Sequence, residues 1–215
     1  MKIALIDGSP KMNNSASSVL LEELKYFFVQ SKIDLDLMEI GLHTSTVSEE
    51  IVKQLKSADI WIFSFPLYVD GIPSHLLSCF IQIENMIKSI CENYTKYIYS
   101  IVNCGFYEGE QTKPALQILE NWCCKAQLNW CGGIGVGGGG SLAMLPNMRV
   151  GQGPKAPIDN ALKYFAKKIM KKETQKNQYV SVGIPRWMYQ LCAQISWRQL
   201  IRKNGGKIKD LGRKF

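Results

Sequence analysis

The sequence has no long hydrophobic run and no closely spaced cysteines, and these two absences exclude several classes of protein. No apolar stretch approaches the roughly 20 residues that a helix needs to cross a bilayer, and the block from Ile3 to Ile6 is too short for a signal peptide. The seven cysteines include no Cys-x-x-Cys pair, which is the spacing that zinc and iron–sulfur sites commonly use. We therefore expect a cytoplasmic protein without a membrane span and without a metal site.

Two common nucleotide-binding patterns are also missing. No segment supplies the Gly-x-x-x-x-Gly-Lys-Ser/Thr pattern of a Walker loop. Gly135-x-Gly137-x-x-Gly140 has the spacing of a dinucleotide fingerprint, but no helical periodicity follows it, which favours a loop. The 215 residues, of which 46% are hydrophobic, are enough for one folded domain of generous size. Any nucleotide site must therefore be built from other motifs.

The charge is unbalanced, with 26 Lys and Arg against 18 Asp and Glu and a net charge of +8. The excess is concentrated in residues 163–176 and in the tail from Arg198 onward. Such a surface favours anionic ligands. Nucleic acid is not expected as a partner, because the sequence has neither an RNA-module signature nor zinc-finger spacing. A solvated basic face is the commoner explanation.

Apolar patterns of two kinds alternate along the chain. Short β-branched runs predict strands at about 2–7, 33–38, 59–64, 97–102 and 129–134, and three of them are continuous enough to be buried parallel strands. Between them, apolar residues spaced by three and four positions, such as Leu76, Phe80 and Ile83, predict helices. The alternation predicts a doubly wound α/β domain over residues 1–176. Residues 177–215 add a C-terminal helix and a basic tail.

The first predicted strand ends in a segment that suits an anion, Gly8 to Ser17, which precedes the first predicted helix. The first amides of a helix have no partner within it, and the helix dipole places partial positive charge there. Serine hydroxyls, an amide and the charge of Lys11 add further donors. These features predict a phosphate site, although a helix capped by Ser or Asn without any ligand has the same pattern.

Two more segments follow buried strands and should reach the same edge of the sheet. They are Phe65 to Pro73 and Asn103 to Glu108. In open α/β sheets, ligands bind beyond the carboxyl ends of the strands, where the strand order reverses. Aromatic rings, apolar side chains and backbone amides in these segments suit a flat heterocycle with polar edges.

Together the three segments resemble those of the flavodoxin-like NAD(P)H-dependent oxidoreductases, also called the NADPH-dependent FMN reductase family. The resemblance rests on Gly8-Ser9-Pro10-Lys11, on Pro66-Leu67-Tyr68 with Gly71-Ile72-Pro73, and on Asn103-Cys104-Gly105-Phe106. It implies a three-layer sandwich whose five-stranded parallel sheet has the order 2-1-3-4-5, and it implies bound FMN. By this resemblance the phosphate is surrounded by Ser9, Lys11, Asn14, Ser15 and Ser17. The ring is flanked by Pro66, Leu67, Tyr68, Val69 and Asp70 on one side and by Asn103, Gly105 and Phe106 on the other.

The resemblance also implies an activity. An oxidoreductase of this family passes hydride from NADH or NADPH through the flavin to a second acceptor, which is a quinone, a nitro or azo compound, a flavin or a protein. No catalytic side chain is expected, because hydride transfer takes place at flavin N5. A homodimer is implied as well. Two alternatives remain open at this stage: a flavodoxin-type electron carrier without NAD(P)H turnover, and a non-catalytic domain that binds a phosphorylated ligand.

Overall fold

The computed structural model of the chain describes residues 1–12, 14–88, 95–139 and 150–212. Its strands are β1 (Lys2–Asp7), β2 (Asp36–Gly41), β3 (Ile60–Pro66), β4 (Tyr97–Asn103), β5 (Asn129–Val136) and β6 (Gln178–Val180). They form one sheet in the order β2-β1-β3-β4-β5-β6, and every neighbouring pair is parallel. The expected order 2-1-3-4-5 is confirmed, with one short strand added at the β5 edge.

Two strands differ from the sequence pattern. β2 begins at Asp36, three residues later than the alternating segment predicts, because its parallel register with β1 starts at the Lys2–Asp36 pair and continues to Asp7–Gly41. β6 was not expected at all. It consists of three residues, which is too short for any periodicity to show, and its pairing with β5 forms it.

The helices are α1 (Ala16–Gln30), α2 (Glu49–Ser57), α3 (Ser74–Lys88), α4 (Lys113–Lys125), α5 (Ala156–Met170) and α6 (Arg186–Lys203). Short 3-10 turns lie at Gly109–Thr112, Gly153–Lys155 and Ile208–Gly212. Ser15 and Ser48 cap α1 and α2, since each side chain accepts a hydrogen bond from a backbone N–H three residues on. In the described part of the chain, no helix is long and apolar enough to cross a membrane.

An aromatic cluster fills the core between the sheet and helices α3 and α4. The rings of Phe80 and Trp122 stack at 4.5 Å between centroids, and Phe63 meets both of them edge-on. The indole N–H of Trp122 donates to the carbonyl of Phe80 at 3.2 Å, so its polar atom is satisfied inside the core. Because Phe63 lies on β3, this cluster fixes the central strand whose end carries one of the three predicted loops.

Helices α1 and α5 pack together and enclose a cluster of charged groups. The Lys155 ammonium contacts the Glu23 carboxylate, and both side chains are more than nine-tenths buried. Asp159, which is 1% exposed, accepts the backbone N–H of Gly151 at 2.6 Å. Burial raises the pKa of Glu23, and the neighbouring Asp159 carboxyl raises it further, while Lys155 opposes both effects. The cluster therefore joins α1 to the start of α5 and to the chain that leads into it.

The chain divides into two compact units, Met1–Val182 and Gly183–Phe215. The first unit contains the whole sheet and helices α1 to α5. The second contains α6 and the last 3-10 turn. All three predicted loops belong to the first unit.

Candidate functional site

Hydrogen bonds join the bases of the three loops at the carboxyl edge of the sheet. The side-chain amide of Asn103, at the end of β4, donates to Ser17 Oγ at 2.8 Å and to the carbonyl of Phe65 at 3.2 Å. The carbonyl of Asn103 accepts the N–H of Leu67 at 2.7 Å. One residue thus links the start of α1, the end of β3 and the end of β4, so the three loops begin from a common, buried base.

The loop before α1 retains the features of an anion site. Ser15 caps the helix by accepting the Ser18 N–H at 2.9 Å, and Ser9 Oγ accepts the Lys11 N–H at 3.2 Å. The Lys11 ammonium donates to the carbonyl of Asn14 at 3.1 Å, which holds its positive charge over the loop. The Ser15 cap takes the Ser18 N–H, which leaves the amides of Ala16 and Ser17, without an acceptor within the helix, as the candidates to bind an anion.

Two residues that the sequence interpretation passed over, Asp7 and His43, also shape this loop. The Asp7 carboxylate accepts the Ser9 N–H at 2.9 Å and the Ser15 hydroxyl at 3.4 Å. His43 Nδ1 lies 2.7 Å from the carbonyl of Ser9. Burial raises the pKa of Asp7, while the Ser9 N–H, His43 and the Ser15 hydroxyl oppose the shift. The position of Asp7 directly before Gly8 is a sequence signal that could have been noticed, whereas no local signal places His43 here.

The loop after β3 is a tight hairpin with strained backbone. Tyr68 and Gly71 exchange backbone hydrogen bonds of 3.0 Å in both directions, and the two residues between them have positive φ angles. A left-handed conformation is costly for a β-branched residue such as Val69, whose φ is 47°. The Val69 side chain is fully exposed and that of Tyr68 is half exposed. The turn therefore projects a ring and an aliphatic group from the sheet edge.

The loop after β4 is supported by the glycines that follow β5. The N–H groups of Gly138 and Gly139 donate to the carbonyls of Phe106 and Cys104 at 2.6 and 2.7 Å. A Cβ atom on Gly137 would lie 2.1 Å from the carbonyl oxygen of Tyr107, so only glycine allows this close approach. Gly135 and Gly137 thus serve packing and strand pairing, and Gly140 lies outside the described residues.

The predicted site residues fall into two groups by burial. The exposed or partly exposed ones can reach a ligand directly; they are Lys11, Asn14, Pro66, Tyr68, Val69, Asp70, Gly105 and Phe106. The buried ones lie beneath the loops; they are Ser9, Ser15, Ser17, Leu67 and Asn103. Ser17 and Asn103 are 1% and 4% exposed and are bonded to each other, which gives them a role in holding the loops together. The binding roles of both groups remain predictions.

The chain matches no model of a protein family, and at the level of sequence it matches no curated protein. Solved structures do resemble it. A flavone reductase has a TM-score of 0.54 and 14% identity, over 82% of this chain and 66% of that chain. The NAD(P)H:quinone oxidoreductase from Methanothermobacter marburgensis has a TM-score of 0.53 and 12% identity, over 79% of this chain and 96% of that chain. The Streptococcus pneumonia TIGR4 flavodoxin has a TM-score of 0.51 and 13% identity, over 80% and 99%.

Identities this low show a shared fold and no more. The parallel order of the first five strands, the loops at their carboxyl ends and the likeness to a solved flavodoxin all agree. The resemblance seen in the three sequence segments is confirmed at this level. The chain has the flavodoxin-like fold.

Proposed function

We propose that this protein is an FMN-dependent oxidoreductase that passes hydride from NADH or NADPH through bound flavin to a second acceptor. The acceptor classes are quinones, nitro or azo compounds, free flavins and proteins. The observation that carries the proposal is the joining of three loops by Asn103. An anion-binding helix start thereby lies at the same sheet edge as two loops that carry exposed rings.

The donors at the start of α1 fit a phosphate. Backbone amides at a helix start and the exposed Lys11 ammonium are groups that bind a phosphate monoester well, and the buried Ser9 and Ser15 hydroxyls hold the loop in shape beneath them. A Walker loop binds a triphosphate with a second glycine followed directly by Lys and Ser or Thr. The segment from Gly8 to Ser15 lacks that pattern, and its one lysine suits a single terminal phosphate, such as that of FMN.

The other two loops fit a flat ring system. Tyr68 and Val69 project from the rigid hairpin, and Phe106 projects from the loop after β4. A Cβ atom built on Gly105 meets nothing within 4 Å, so the space beside this loop is open. Exposed aromatic and aliphatic groups on two loops at the same edge of the sheet favour a planar heterocycle with polar edges.

When FMN is bound, it supplies the redox chemistry by accepting hydride from a reduced nicotinamide and delivering electrons to the second substrate. The chain itself needs only to hold and orient the partners. The phosphate loop fixes one end of the cofactor, the hairpin and the Phe106 loop fix the ring, and their apolar atoms keep water from its faces.

The structural neighbours support this class of activity. Two of those with TM-scores above 0.5 carry names of enzymes, a flavone reductase and an NAD(P)H:quinone oxidoreductase. The third is a flavodoxin, which keeps an electron-carrier function as the alternative. A carrier would bind FMN equally well but would not turn over NADH or NADPH, so binding and turnover must be measured separately.

The test of the phosphate assignment compares two helix caps. S15D places a carboxylate at the start of α1, and S48D makes the same change at α2; aspartate is a good cap at both positions. We expect S15D to weaken FMN at least about tenfold, by repulsion of the phosphate, and to leave riboflavin nearly unchanged. S48D should change neither dissociation constant.

Fluorescence titration gives both dissociation constants, and oxidation of NADH and NADPH with a quinone acceptor gives turnover. Equal weakening of FMN and riboflavin by S15D would show that the phosphate lies elsewhere. Absence of saturable FMN binding at micromolar concentration would contradict the proposal as a whole. Binding of FMN without nicotinamide oxidation would leave the electron carrier as the correct function.

A further inference from the structure

The second unit carries almost all of the net charge of the chain. Residues 183–215 contain eight of the 26 basic residues and one of the 18 acidic residues. The 182 residues before them contain 18 basic and 17 acidic residues, so the first unit is nearly neutral and the second has a net charge of +7. The excess is local, and it predicts that whatever meets this unit is anionic.

Helix α6, the main element of this unit, also exposes large apolar side chains. None of its 18 residues is buried. Trp187 and Trp197 are 66% and 60% exposed, and Leu191, Ile195 and Leu200 are about half exposed. These side chains lie on several sides of the helix, and Trp187, Leu191 and Ile195 are the ones that line up. A contiguous row of exposed apolar side chains usually marks a surface that contacts something other than water.

One face of α6 combines the two properties. Trp187, Leu191, Ile195, Arg198 and Arg202 follow each other at steps of four, four, three and four residues, which places them along one side of the helix. The first three are apolar and the last two are cationic. Lys207 and Lys209 continue the positive charge beyond the helix. Along this face the side chains are apolar first and basic afterwards. A partner of this face must therefore offer both apolar surface and negative charge.

We propose that the second unit docks onto an anionic lipid surface through this face of α6. Lipid headgroup phosphates neutralise arginine and lysine, and the boundary of the acyl chains accepts tryptophan and aliphatic side chains. Tryptophan and arginine both place an apolar body below a polar tip, which suits that boundary. A nucleic acid would leave Leu191 and Ile195 in water. A protein groove selects a continuous apolar stripe at i, i+3, i+4 and i+7, and this face turns cationic after Ile195.

The experiment measures sedimentation of the full chain with vesicles of phosphatidylcholine, with and without about one third phosphatidylglycerol. We expect binding to the anionic vesicles at least about tenfold tighter than to the neutral ones, and weaker binding as salt rises. R198Q/R202Q should lose about tenfold or more of the affinity. K163Q/K167Q, which removes two exposed lysines of α5 in the first unit, should bind like the wild type.

A second pair of variants tests the face itself. W187S lies on the proposed face, and W197S lies on another side of the same helix with similar exposure. W187S should weaken vesicle binding several-fold more than W197S, and circular dichroism checks that both variants retain the helix. Brominated lipids should quench the tryptophan fluorescence of the bound protein, and this quenching should fall more in W187S than in W197S.

Three results would overturn the proposal. The first is equal affinity for neutral and anionic vesicles. The second is an equal loss of vesicle affinity in W187S and W197S. The third is a loss of vesicle affinity in K163Q/K167Q as large as that in R198Q/R202Q. Duplex DNA and poly-glutamate serve as competing probes. If either binds the full chain as tightly as the anionic vesicles, and W187S does not weaken that binding, the unit is a general polyanion site and the lipid assignment is wrong.

Discussion

Among single residues, Asp7 has the most unusual position, because its carboxylate lies against the loop that we propose binds a phosphate. It accepts the Ser9 N–H and contacts the Ser15 hydroxyl, and thus organises the loop before any ligand is present. Burial raises the pKa of its carboxyl, so folding favours its protonated form. Because a carboxylate and a phosphate carry charge of the same sign, the ionised form of Asp7 should oppose the binding of phosphate.

We expect D7N to bind FMN about threefold to tenfold tighter than the wild type at neutral pH. Removing one like charge at a partly hydrated site is worth on the order of 1 kcal/mol. Riboflavin, which has no phosphate, should bind both proteins equally. In the wild type the FMN affinity should rise as pH falls through the raised pKa of Asp7. The difference in FMN dissociation constant between the wild type and D7N should therefore disappear at low pH. A difference that does not change with pH would show that Asp7 acts only through hydrogen bonds.

At the scale of helices and strands, the buried Lys155–Glu23–Asp159 cluster should contribute to the packing of α1 on α5. K155M leaves the buried Glu23 carboxyl without its cation and next to the Asp159 carboxyl, which should cost about 3–5 kcal/mol of unfolding free energy at neutral pH. The raised pKa of Glu23 means that its contribution to stability is present at low pH and is lost as pH rises through the folded value. The deficit of K155M should therefore shrink as pH falls.

Two variants complete the measurement by denaturant unfolding. E23Q keeps the shape of the side chain but leaves the buried Lys155 ammonium without its carboxylate, so its cost should be of the same order, about 3–5 kcal/mol. K163M changes an exposed residue of α5, and its unfolding free energy should stay within about 0.5 kcal/mol of the wild type. If K155M unfolds like K163M, the ion pair contributes nothing to the packing of the two helices.

The glycines that support the loop after β4 allow another prediction at this scale. G137A should lower the unfolding free energy by about 1–3 kcal/mol, because the new methyl group meets the Tyr107 carbonyl. G105A has open space around its new methyl and should unfold like the wild type. Thermal unfolding of the two variants distinguishes them, at about 2–4 °C for each kcal/mol. Equal melting temperatures would mean that the loop moves aside without cost.

The same elements show what sequence could and could not predict. The first five strands and the helices between them follow from apolar patterns, and a serine or asparagine cap before α1 follows from the residues there, because these signals are local. The order of the strands in the sheet came from the family resemblance and not from any local pattern. β6 has three residues and forms only against β5, and His43 reaches Ser9 from 34 positions away. The burial of Asn103 beneath the loops also depends on chain segments brought together by folding. No local pattern contains such information.

At the scale of the whole molecule, the candidate cofactor site and the basic C-terminal unit are separate in sequence. All loop residues lie before Val182, and no residue of α6 is buried. We therefore expect a chain that ends at Val182 to bind FMN within about twofold of the full chain, since the donors and rings are all present. Equilibrium titration of both chains checks this, with circular dichroism as a control for folding. A folded truncated chain without FMN affinity would place part of the site in the second unit.

The Asn103 hydrogen bond to Ser17 has a consequence for synthesis as well. It joins positions 86 residues apart, and long-range pairings of this kind form late because a long segment must close first. A ribosome must have released β4 before the three loops can acquire their common base. If the chain binds FMN as we propose, the cofactor should bind only after most of the first unit has been translated.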